Sequence, residues 1–166
     1  LESLLMEIWD LILPLAKILL YLAVFLAAGG LIFDLILGTE LDESNRAKLA
    51  NSVCLAGIVG FFLTVLRVPV AAGNISGDVA GMFDPTMLGI ALQPPLRLTL
   101  GIALLGFGMV ASLHWTTKNY PIIASKVAKG IAAGYVLASM PLAGHATLGG
   151  VVAMLLLLLH LAGIAF

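Results

Sequence analysis

From Leu148 to Phe166 the chain runs for 19 residues with one ionisable group, His160. Such a run fixes the solvent. A helix rises about 1.5 Å per residue, so about 20 apolar residues cross the hydrocarbon core of a bilayer. The same pattern recurs upstream. Spans are predicted over 9–37, 50–68, 96–115, 121–143 and 147–166, giving an all-α, polytopic transmembrane helix bundle of about five spanning helices within residues 1–166. Composition agrees: 61% of residues are hydrophobic, 10% are charged and the mean hydropathy is +1.15, against about a quarter charged in soluble domains. The solvating partner is therefore the lipid bilayer. A net charge of −1 gives no footprint for nucleic acid.

Several residues mark helix borders in this reading. Lys48 and Arg67 bound the second span, Arg97 and Lys118 the third, and Pro121 opens the fourth. Proline suits a first helical turn because its missing N–H would be unpaired there anyway. The loop at 38–49 carries Arg46 and Lys48, and 116–130 carries Lys118, Lys126 and Lys129. The positive-inside rule puts these segments inside and the N-terminus outside. Trp9 then reads as an aromatic-belt residue of the outer interface, with Trp115 and Tyr120 at the inner one.

This topology gathers potential metal ligands on the outer side. His145 lies in the turn between spans four and five, Met140 near the outer end of span four, and Met82, Asp84 and Met87 in the outer loop that starts at Gly73. His160 lies deeper, fifteen residues or about 22 Å of helix beyond His145. Thioether sulfur with imidazole suits copper, above all Cu(I). Plainer roles stand beside these. Met82 and Met87 fit packing of an interfacial helix, Met140 a lipid-facing or core position, His145 a cap on span four, and His160 a hydrogen bond to a neighbouring helix. Asp34, Arg67 and Arg97 fit snorkelling anchors or helix–helix pairs. Cys54 has no partner for an internal disulfide and reads as packing.

The Gly144-His145-Ala146 turn, followed by His160-Leu161-Ala162-Gly163, resembles the CopD (PcoD) family of bacterial copper resistance membrane proteins. Phe83-Asp84-Pro85-Thr86-Met87-Leu88-Gly89 and Leu96-Arg97-Leu98 also resemble that family's second outer loop and the start of its third span. The family continues past the second histidine with a Trp-x-Gly-Gly stretch and further helices, so this chain reads as a fragment or a short relative. The resemblance implies a bacterial inner-membrane protein that passes copper between periplasm and cytoplasm, supplied by a periplasmic copper-binding protein. His145 and His160 would then be successive stations, with Met140 and Met82 as softer helpers and Met87 and Asp84 as further candidate ligands on the same side.

Two other classes remain open on the residues alone. Buried histidines in helix bundles also ligate b-type haem for electron transfer. Small-residue faces such as Gly57/Gly60 and Gly106/Gly108 suit a structural subunit of a larger membrane complex or a homo-oligomer. Enzyme chemistry is not expected: there is no Gly-x-Ser-x-Gly elbow, phosphate loop or paired-histidine zinc helix.

Overall fold

The computed structural model describes residues 2–94, 96–116, 121–142 and 150–165. Six α-helices follow one another: α1 (Glu2–Leu37), α2 (Glu43–Ser76), α3 (Pro85–Ala91), α4 (Leu96–Thr116), α5 (Ile122–Leu142) and α6 (Gly150–Ala165), with a 3-10 turn over Ala80–Phe83 before α3. No strand occurs among the described residues. Four helices are long and apolar enough to cross a membrane, over Leu11–Leu37, Glu43–Ser76, Leu96–Leu113 and Ile122–Met140. The described part of the expected fifth span, α6, has 16 residues, about 24 Å of helix.

Local chemistry sets the helix ends. Asp42 caps α2 by accepting a hydrogen bond from the Asn45 N–H at 2.9 Å, which satisfies a donor that the first turn leaves unpaired. At the other end Gly77 adopts φ 77°, a left-handed conformation that glycine takes at little cost, and its N–H donates to the Gly73 carbonyl at 2.9 Å. Pro85 occupies the first turn of α3, with Asp84 as its cap.

The second helix differs from the sequence expectation. It covers 34 residues, about 51 Å, whereas 50–68 was expected. Neither Lys48 nor Arg67 is a border, and the loop expected from Gly73 begins only after Ser76. Pro69 sits within the helix, where it removes one backbone hydrogen bond without ending the helix. The added turns at each end carry α2 past the thickness of the hydrocarbon core, about 30 Å.

α1, α2, α4 and α5 form a ring in which each helix packs on two neighbours, and α6 lies against α1 and α5. Val24, Phe107, Val110 and Val136 are fully buried at its centre. Close approach relies on glycine. A Cβ on Gly60 would stand 2.2 Å from the Phe107 ring, and one on Gly106 would stand 2.8 Å from the Val136 backbone nitrogen. Small residues drive helix association in membranes, where lipid is as apolar as leucine. Large apolar side chains such as Leu11, Phe62, Leu105 and Leu156 cover the outside. The ring has two ends: one carries residues 38–42, the other residues 77–94.

Candidate functional site

Polar groups of the ring helices, some exposed and some buried, line two cavities. The first, about 330 Å³, lies towards the 38–42 end and is lined by Asp34, Glu43, Arg46, Asn51 and Lys129. Lys129 Nζ and Asp34 Oδ2 are 2.5 Å apart and link α5 to α1. Arg46 donates to the Gly38 carbonyl. The two carboxylates of this cavity match its two cations.

The second cavity, about 240 Å³, lies towards the 77–94 end between α1, α2, α4 and α5. Lys17, Tyr21 and Arg67 line it together with Thr64, Thr99 and Ser139, and Met140 supplies a thioether. Thr64, Thr99 and Ser139 are 1%, 1% and 6% exposed. Hydroxyls survive at such depth because they bond to the backbone. Thr64 Oγ1 donates to the Gly60 carbonyl at 2.7 Å, and Ser139 Oγ to the Val136 carbonyl at 2.7 Å. The sequence reading missed this cluster. Arg67 reads in the sequence as a span border, a snorkelling anchor or a helix–helix pair, and 64, 99 and 139 share no spacing that would group them.

The expected ligands fall in different places. Met140 is half-buried against the core and lines the second cavity. Met82 is half-buried and, with the Trp9 ring, covers Gly73. Trp9 is therefore not a belt residue facing lipid: it is 4% exposed, beneath the 3-10 turn. Met87 is half-buried in α3. One carboxylate oxygen of Asp84 accepts from Thr86 N–H at 2.7 Å and Met87 N–H at 3.3 Å. These bonds hold its carboxyl below the usual carboxylate range, because they favour the charged form.

His160 is exposed on α6. Leu158, Leu161 and Ala162 pack against the core, and His160 stands about 200° around the helix from Leu158. His145 lies outside the described residues. Among the described residues no group of three or more His, Cys, Asp or Glu side chains is placed to hold a metal ion. Cys54 is buried, its thiol 3.6 Å from the Ala111 carbonyl.

A lipid-facing apolar exterior and a ring of long helices with polar cavities inside define a multi-pass helical membrane protein. The chain belongs to the copper resistance protein D-like family, whose N-terminal domain matches residues 6–154. The match takes in Met82, Asp84, Met87, Met140 and His145 and ends before His160. No curated protein and no solved structure matches the chain. This is accordingly a copper-related membrane protein.

Proposed function

We propose that this protein is a copper carrier of the bacterial inner membrane, passing copper between periplasm and cytoplasm without a catalytic step. The observation that carries the reading is Met140. In a copper-related family, it presents a soft thioether to the wall of a polar cavity inside the helix ring, and thioethers favour Cu(I) over hard cations. His145 follows five residues later in the sequence and serves with Met140 as the entrance. Met82 and Met87 add thioethers at the 77–94 end, and the carboxylate oxygen of Asp84 not engaged in the cap adds a hard ligand. His160 is a later station along α6. Carriage needs ligands that accept the ion and release it again, so sparse ligands fit better than a closed cage.

The lysine and arginine distribution supports an N-terminus outside, which turns the 77–94 end towards the periplasm. A periplasmic copper-binding protein would deliver its cargo there. The test is copper uptake into proteoliposomes, read by elemental analysis, for the whole chain and for Met140→Leu and His145→Ala. Uptake that falls in both variants supports the reading. Uptake unchanged in both, or haem iron retained in place of copper, overturns it.

A further inference from the structure

The second cavity contains an imbalance of charge that copper handling does not explain. Lys17, exposed on α1, and half-buried Arg67 both line it, and among the described residues no carboxylate does. Lys17 lies six residues inside the apolar window that opens at Leu11, about 9 Å along the helix, and Arg67 lies nine residues before Ser76, about 14 Å. Within one turn, Lys17 has Leu13, Pro14, Leu20 and Tyr21 as neighbours, and Arg67 has Leu63, Thr64, Val70 and Ala71.

The acids whose side chains are described are engaged or belong to the other end. Asp34, Glu40, Asp42 and Glu43 belong to the 38–42 end. Asp78 accepts from the Gly81 N–H, and Asp84 caps α3. Among the described residues the only ion pair is Lys129–Asp34. The cavity at the other end is neutral by the same count, so the imbalance is local. Cations at membrane depth are costly and mark ligand sites or pathways, usually with a partner.

The donors available in the cavity define that partner. The hydroxyl protons of Thr64 and Ser139 are committed to helix carbonyls. Lys17 offers three N–H donors, Arg67 five in a planar fork and Tyr21 one O–H. A guanidinium fork matches the geometry of oxyanions. The cavity, at about 240 Å³, is below the range of about 300–1,000 Å³ for drug-sized ligands. We propose that Lys17 and Arg67, with Tyr21, form an intramembrane site for a small oxyanion of the phosphate class, either free phosphate or the phosphate of a lipid headgroup. The site stands on charge and cavity geometry and does not depend on the copper reading.

The test uses the full chain in a phosphate-free maltoside detergent. One arm titrates inorganic phosphate by calorimetry. The other adds mixed micelles containing phosphatidylglycerol and reads retained lipid by native mass spectrometry. Binding in the first arm identifies free phosphate, and binding in the second alone identifies the lipid headgroup. In either arm Lys17→Gln with Arg67→Gln weakens binding by about tenfold or more, Arg67→Lys weakens it less because the charge stays while the fork is lost, and Lys126→Gln on the outer surface of α5 leaves it unchanged. If the double variant fails to fold, Arg67→Lys and the unaltered chain still decide. No binding by the unaltered chain in either arm, or equal binding by the folded double variant, overturns the proposal.

Discussion

Lys129 and Asp34 meet at 2.5 Å across 95 residues of sequence, with side-chain exposures of 24% and 16%. The pair links α5 to α1. Asp34→Asn leaves the ammonium of Lys129 without its counter-charge, which costs about 1–3 kcal/mol. Residual exposure keeps the loss below the about 3–5 kcal/mol of a fully buried pair. Asp34→Asn with Lys129→Gln costs less than the two single changes added together. Thermal unfolding of the four proteins in detergent, arranged as a double-mutant cycle, measures the difference. Strict additivity would show that the contact contributes nothing.

Glycines in the ring divide into two kinds. Gly60→Ala drives a methyl group into the Phe107 ring and Gly106→Ala drives one into the backbone at Val136; each destabilises by about 1–3 kcal/mol, the usual cost of overpacking. A Cβ on Gly101 or Gly134 meets nothing within 4 Å. Alanine there is neutral or stabilises by up to about 1 kcal/mol through helix propensity. Melting temperatures of the four variants separate the two classes.

The cap at Asp84 depends on pH. Its carboxyl is held below the ordinary range by the N–H groups of Thr86 and Met87. A group with a depressed folded-state pKa contributes stability above its unfolded pKa and loses it as pH falls through the folded one. Acidification therefore loosens α3 from its first turn. Hydrogen exchange at the Thr86 and Met87 amides, corrected for intrinsic rates, shows protection falling on acidification. Asp84→Asn keeps an acceptor and removes the pH dependence.

Met140→Leu preserves volume and apolar character, so the fold loses less than about 1.5 kcal/mol. Copper uptake nevertheless falls several-fold, because the thioether is gone. A variant with the native melting temperature and unaltered uptake would remove Met140 from the pathway.

The apolar stretches around α4 and α5 were legible because charges and prolines flank them: helices were expected over 96–115 and 121–143, and the structure has Leu96–Thr116 and Ile122–Leu142. The α2 helix extends beyond the expected 50–68 at both ends. A charge does not end a helix: Arg67 lines a cavity to which three other helices contribute. Hydropathy along one helix does not report what its neighbours present. Asp34 was recognised as an anchor or a pair, but its partner Lys129 follows from the packing of α5 on α1. Met140 reads in the sequence either as a soft ligand or as a lipid-facing or core residue. Its cavity companions at 17, 64, 67, 99 and 139 become neighbours only when four helices close into a ring.

That ring has a consequence for biogenesis. α1 packs on α2, α2 on α4 and α4 on α5, so each spanning helix has its predecessor as a docking surface when it enters the bilayer. The closing contact, α5 on α1, joins the first and last members and carries the Lys129–Asp34 pair. Until α5 is synthesised, Asp34 is in the membrane without its counter-charge.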